Sequence, residues 1–386
     1  MKTVIHTIVS VLATAIWSGV AGAQPTAETK TSEELTETVQ TSVDLALEWL
    51  ATQQDGNGSF KADPTCNDVA QPAVTGLTVL AFLANGHSPS VGRYGKPLDR
   101  AVEFILASQK PPGYFSVGNP FSNSGTFTAS QTANYNHAIA GLVLCELYGM
   151  LPDDKAESVK QAIERALLVT WTEQDKRKND PLHQGGWRDA NDSVFSDLSV
   201  TSWQLMFARS AKNAGFAVSQ VRIQRAVDFV KRCYDPRVGT FRYSFYRGSH
   251  QRTRAMAGAG IVALSQSGVH DSDMAKSAGR WLLQNSFAAY NSRLDPEFTE
   301  DRFHYGVFYA SMGMYQLGKD YWDQFYPPLA KTLVRNQRRG GAWSPENHPY
   351  EFKLGSCYTT AIVVIALSLE NQLLPILQKS QGVFTV

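Results

Sequence analysis

An all-α ring, six helical hairpins closed into an (α/α)6 toroid, is the fold this sequence predicts, and three observations predict it. A glutamine–glycine–aromatic turn recurs along the chain: Gln54-x-x-x-Gly58-x-Phe60, Gln109-x-x-x-Gly113-x-Phe115 and Gln337-x-x-x-Gly341-x-Trp343, with shorter forms at Gln184-Gly185-Gly186-Trp187 and Gly239-Thr240-Phe241. Each turn lies between a charged helix with one apolar stripe and a helix of small and apolar residues. The period of roughly 50 to 70 residues, two helices to the unit, is that of a helical repeat array. Glycine allows the backbone reversal, glutamine can serve orphan groups at a helix end, and the aromatic packs between units. Charged helices outside and small-apolar helices inside give a closed ring. An open solenoid would carry polar capping units, and neither end shows one.

The elements follow in order. Lys2, an apolar run to Trp17 and the small-residue exit Ala21-Gly22-Ala23 read as a secretory signal peptide over 1–23, cleaved after Ala23, and so predict export to the periplasm or the extracellular space. Residues 24–40, rich in Thr, Glu, Gln and Ser, read as a mobile polar leader, and 41–386 as the toroid. Val43, Ala46, Leu47 and Leu50 form the first helical stripe, and an inner-type helix over 74–83 answers it. The second unit pairs 98–108 with 137–147 across a Ser/Asn/Gly-rich insertion. The third pairs 156–174 with 199–206, the fourth 221–233 with 255–264, and the fifth 274–285 with 303–317. The sixth pairs 321–337 with 356–367.

Composition excludes several functions. A net charge of +1 with interspersed charges offers no basic face for nucleic acid or anionic lipid. No run after the signal peptide approaches the roughly 20 apolar residues of a membrane span. The four cysteines (Cys66, Cys145, Cys233, Cys357) lie about 80 to 120 residues apart, without the close pairs of a structural zinc site. Export permits disulfides and leaves three pairings open, although Cys145, inside an apolar helix, reads as a buried thiol.

The glutamine–glycine–aromatic turns resemble the repeats of squalene and hopene cyclases and of protein prenyltransferase β-subunits. The resemblance covers about 40–377. It is nearest to secreted bacterial prenyltransferase and squalene oxidase repeat proteins, through Gly186-Trp187-Arg188, the run from Asp197 to Gln204, Tyr321-Trp322 and the run from Cys357 to Ala361. It implies a terpenoid-cyclase-like toroid with a central cavity. The chemistry of the better-known relatives is not implied. The Asp-x-Asp-Asp acid of class II cyclases is absent, and the prenyltransferase zinc ligands are missing where the chain reads Arg302-Phe303-His304-Tyr305 and Gly355-Ser356-Cys357-Tyr358. The Gly-Cys-Gly-Glu-Gln of thioester toroids is absent too. No cofactor and no metal site is therefore expected.

In a closed ring the inner-helix starts converge on one mouth, where their N–H groups favour polar or anionic ligand groups. The candidate catalytic residues are His304, Asp301, Tyr358, Asp197 and His137, an acid beside a histidine being the simplest general acid–base pair. For Asp197 the reading as a helix cap is preferred, and for His137 that as a hydrogen-bonded core residue. Arg254, Tyr305, Tyr309 and Trp203 are the candidate ligand-binding residues. Guanidinium takes carboxylate or phosphate, and aromatic walls suit either a carbocation or a sugar ring. The expected partner is accordingly a small molecule, isoprenoid or glycan, in the central cavity. A carbohydrate-active toroid and a protein-interaction module are the alternatives.

Overall fold

Thirteen consecutive residues with no charged side chain make Gln71–Leu83 a helix that can be buried on every side, and every one of its residues is. Gly95–Ala107, which follows, buries only the stripe Leu98, Ala101, Val102 and Ile105 beside its first residue, Gly95. That contrast runs through the whole computed structural model, which describes residues 27–61, 68–124, 127–189, 193–245, 252–269, 272–294 and 300–378. The outer helices are α1 (Ala27–Ala51), α3 (Gly95–Ala107), α5 (Asp153–Gln174), α7 (Gln220–Cys233), α9 (Asp273–Gln284) and α11 (Lys319–Arg335). The inner ones are α2 (Gln71–Leu83), α4 (Ala129–Leu147), α6 (Leu198–Asn213), α8 (Arg254–Gln266), α10 (Phe303–Leu317) and α12 (Pro349–Leu367). Each inner helix packs on the next, and α12 returns to α2, so the ring is closed; α1 fills the last outer position against α11 and α12. The fold is an all-α toroid. Tyr234–Asp235 and Thr240–Phe241 form the one small hairpin of strands among the described residues.

The recurring turns hold neighbouring units together. Gln54, Gln109 and Gln337 each donate from Nε2 to two carbonyls. One belongs to the glycine of their own turn, the other to the next outer helix: Pro97, Ala162 and Ser42 respectively. In the third unit Gln174, not Gln184, has this role, reaching Gly185 O and Arg222 O at 2.9 Å each. An insertion separates glutamine from glycine there and hides the pattern. The aromatics Phe60, Phe115, Trp187, Phe241 and Trp343 are buried between layers. The backbone N–H groups of Phe60, Trp187 and Trp343 are each taken by a threonine of the following inner helix, Thr75, Thr201 and Thr360.

Several boundaries differ from the sequence expectation. The helix α1 begins at Ala27, within the stretch read as a polar leader, because Val39 already joins the buried stripe of Val43, Ala46 and Leu47. The helix α4 starts at Ala129 instead of 137, within the polar insertion, on a capping box of Thr128 and Gln131. The helix α12 carries a break at Gly355 (φ 79°), so the apolar segment after it is preceded by a separate helical turn over 349–354. Residues 1–23, read as a signal peptide, and Cys66 lie outside the described residues. Cys145 and Cys233 are buried free thiols, and Cys357 is buried.

The ends of the inner helices away from the mouth are stopped by the C-terminal segment. Leu374, Ile376 and Leu377 are buried, Gln266 donates to Ile376 O at 2.9 Å, and Glu146 accepts from Ile376 N at 3.3 Å and from Ser210 Oγ. Burial pushes the Glu146 carboxyl up to about 7 from its ordinary 4.5, with those two donors pulling it back. A folded value above the unfolded one means the contribution to stability is full below 4.5 and lost as pH rises through about 7. Between about pH 6 and about pH 8 this group is therefore expected to remove about 1.4 kcal/mol. Urea denaturation of Glu146→Gln at the two pH values checks this: the variant should lose that much less than the parent, and equal losses would contradict the assignment.

Candidate functional site: the central cavity

The starts of all six inner helices surround one cavity of about 470 Å³. On α4 the lining residues Gln131, Tyr135 and Ile139 are spaced by four and so share one face, while α12 contributes Tyr350 and Leu354 before its break at Gly355 and Tyr358 and Ile362 after it. Leu77, Ile139 and Ile362, farther along their helices, give an apolar wall, joined by Met256 and Trp203. The mouth, formed by loops and first turns, is charged: Arg188, Asp189, Glu300 and Arg302, beside the phenols Tyr135, Tyr243, Tyr305 and Tyr358. A hydrogen-bonded chain fixes part of this wall. Tyr135 OH lies 2.9 Å from Ser199 Oγ, Ser199 Oγ lies 2.5 Å from Tyr305 OH, and Trp203 Nε1 donates to Tyr305 OH at 3.1 Å. Burial pushes all four phenols above their ordinary value, so near neutral pH they remain O–H donors.

Of the residues singled out in the sequence, Tyr358, Tyr305 and Trp203 line this cavity. The other six do not, for reasons of helical phase and capping. His137 follows Asn136 by about 100° of helix rotation, and its ring faces α5, with Nε2 3.0 Å from Ala166 O and 3.1 Å from Thr170 Oγ1. Burial lowers it to about 4, so it is a neutral core histidine. Tyr309 lies one turn below Tyr305 and packs edge-on to it and to Trp203, ring centroids 5.1 and 5.6 Å apart, within the core beneath. Arg254 is turned away from Ala255 and Met256, which do line the cavity, and is 1 % exposed. Asp301 accepts its backbone N–H at 2.9 Å and its Nε at 3.1 Å. That carboxylate is both a cap for α8 and a counter-charge.

Asp197 caps α6, accepting from Val200 N at 2.8 Å, with Arg188 Nε 3.6 Å from its other oxygen. Burial raises it to about 7 against the pull of Arg188. His304 lies behind Tyr305, with Nδ1 3.0 Å from Glu351 Oε2 and Nε2 3.0 Å from Tyr290 OH.

Two contributors were not legible in the sequence because they act from a distance. The helices α2 and α10 have no side-chain cap of their own. Asn136 supplies one to Ala73 N at 3.1 Å, and both carboxylate oxygens of Glu346 supply one to Phe303 N at 3.0 Å. Acids and amides therefore gather at the mouth to satisfy converging helix N-termini. His304, Glu346 and Glu351 also form the one group among the described residues whose donors, all within 4.8 Å of each other, could hold a metal ion. Their present bonds already use each group: His304 with Glu351, and Glu346 with Phe303. Glu351 Oε1 alone has no partner. Burial and the neighbouring Glu351 push Glu346 up to about 7, whereas His304 and Arg302 hold Glu351 below its ordinary value despite burial.

No protein-family model and no curated protein matches the chain. Solved structures do match in fold. The type II terpene cyclase MstE from Scytonema, in a variant bound to its product merosterolic acid A, is 13% identical over 89% of this chain and 99% of its own, with a TM-score of 0.58. An inactive variant of the α-1,6-mannanase GH76A of Salegentibacter sp. HEL1_6, in complex with α-1,6-mannotriose, is 14% identical over 88% of this chain and 99% of its own, with a TM-score of 0.61. The chain thus shares the α/α toroid of terpene cyclases and of GH76 mannanases.

Proposed function

We propose that this protein is an exported toroid that binds an apolar small molecule of isoprenoid type in its central cavity. The observation that carries the reading is the cavity itself: about 470 Å³, within the range of small-molecule sites, aliphatic and aromatic inside and polar at the mouth. The aliphatic surface of Leu77, Ile139, Met256 and Ile362 offers nothing to the hydroxyls of a glycan. Sugar hydrolysis would also need two carboxyls facing the substrate. The acids that line the cavity are Asp189, held by Arg188 Nε at 2.8 Å, and Glu300, both at the mouth. Terpene cyclase MstE has been seen with geranylgeranyl dihydroxybenzoate, which makes a chain of that size a reasonable probe. The signal-peptide reading of 1–23 supports export.

The test is a thermal-shift and calorimetric comparison of the mature protein with a C20 isoprenoid alcohol and with α-1,6-mannotriose. The alcohol is expected to raise the Tm and to bind with micromolar Kd. Ile139→Trp, which fills the cavity from α4, should weaken it at least tenfold while the protein stays folded. Binding of mannotriose in place of the alcohol would overturn the reading in favour of a carbohydrate-active toroid, and binding of neither would favour an interaction module.

A further inference from the structure

We infer that the cavity selects a ligand bearing a single carboxylate at one end of an apolar body, and that Arg302 receives that carboxylate. This rests on the cavity-binding reading above and adds the chemical class of the ligand's polar end. Four charged side chains line the cavity, and three of them have an evident role or place. Arg188 and Asp189 are paired through Nε and Oδ1 at 2.8 Å, and Glu300 stands exposed at the rim. Arg302 differs. Its residue is only partly exposed, and no hydrogen bond or ion pair of its guanidinium exists among the described residues; its guanidinium carbon lies over the face of Tyr305, 4.9 Å from the ring centroid. Glu351, whose charge Arg302 feels, is turned to His304 Nδ1.

A guanidinium set into a cavity wall, stacked on one face and with its N–H fork unclaimed, is a preformed receptor for a planar two-oxygen anion. Tyr358, which lines the cavity and retains its proton, is a phenol that can supply a further donor. The charge count sets the valence. Arg188 lies between two acids, Asp189 at 2.8 Å and the buried Asp197 at 3.6 Å, with its Nη1 left without a partner, whereas no acid stands within ion-pair distance of Arg302 among the described residues. One negative charge matches Arg302, whereas a diphosphate would bring two or three against the two lining carboxylates. The apolar positions Leu77, Ile139 and Ile362 lie farther down the inner helices, so a ligand held at Arg302 extends its body inward.

The experiment compares three probes with one chain, a C20 isoprenoid carboxylic acid, the alcohol and the diphosphate, by calorimetry at pH 7.5 on the full mature protein. The acid is expected to bind at least tenfold more tightly than the alcohol, and at least as tightly as the diphosphate. Arg302→Gln should abolish the acid's advantage over the alcohol, with Arg302→Lys restoring part of it. Raising salt from about 50 to about 500 mM should narrow the acid-to-alcohol ratio in the unmodified protein, a readout that needs no variant. Equal affinities for acid and alcohol would overturn the inference and leave the cavity reading standing. A tenfold preference for diphosphate would overturn the single-carboxylate assignment, and failure of all three to bind would overturn both readings together.

Discussion

Asp301→Ala is expected to cost about 3–5 kcal/mol of folding stability, the penalty for leaving a buried charge without its partner. Arg254 is 1 % exposed at the first position of α8, with Asp301 Oδ2 2.8 Å from Nη2 and the ring centroid of Phe287 4.1 Å from its guanidinium carbon. Its other donors go to Ser286 O and to Ser292. None of those neutral acceptors can carry the charge. The same carboxylate accepts the backbone N–H groups of Arg254 and Leu294, so truncation also leaves a helix start and a loop unserved. Asp301→Asn keeps acceptor oxygen but not charge and should fall between the parent and the alanine variant. The double change Arg254→Met with Asp301→Leu should recover much of the loss, because an apolar pair of similar volume needs no desolvation. Denaturant titration of the four proteins measures this. A loss of about 1 kcal/mol or less for Asp301→Ala would show the pair to be screened, and would return Asp301 to the acids available for chemistry.

That acid also shows what the sequence could and could not disclose. The ring was legible because the features that build it are local: Gln54, Gly58 and Phe60 lie within seven residues, and the small-apolar run Gln71–Leu83 announces its burial by composition alone. The third turn reads as Gln184 in sequence because the true glutamine, Gln174, is separated from Gly185 by the insertion, and only its bonds to Gly185 O and Arg222 O reveal it. The converging mouth followed from the alternation of inner and outer helices. Which side chains enter it did not, since that depends on helix phase: Tyr305 lines the cavity and its neighbour His304 does not. The spacing-by-four of Gln131, Tyr135 and Ile139 on α4 was a usable signal. Caps supplied across the ring left none, because Asn136 and Glu346 act on residues 63 and 43 positions away. An acid at a helix start thus looks the same whether it serves its own helix, a neighbour's or a ligand.

The joint between the first and last units should tolerate no side chain at its glycine: Gly341→Ala is expected to destabilise the protein by about 3 kcal/mol or more, left-handed backbone strain and a backbone clash acting together. Gly341 has φ 95°, and a Cβ there would lie 2.2 Å from the carbonyl oxygen of Leu45 in α1 and 2.6 Å from its carbon. Neither can yield as a flexible side chain would. Four residues earlier in the chain, Gln337 and Ser42 exchange two hydrogen bonds of 2.7 Å each, Gln337 Nε2 to Ser42 O and Ser42 Oγ to Gln337 Oε1, and these fix α1 against the end of α11. Pushing α1 outward to make room breaks both bonds and uncovers Val43, Ala46 and Leu47, all buried in the parent. Gly56→Ala is the control, since a Cβ there would meet no atom within 4 Å and the φ of Gly56 is not positive. It should change stability by no more than about 0.5 kcal/mol. Urea denaturation of both variants, with limited proteolysis of α1, separates the possibilities. A large loss with early cleavage of α1 means that the ring depends on closure. A loss as small as the control's would mean that the first and last units are held by something other than this turn, namely the packing of α12 on α2.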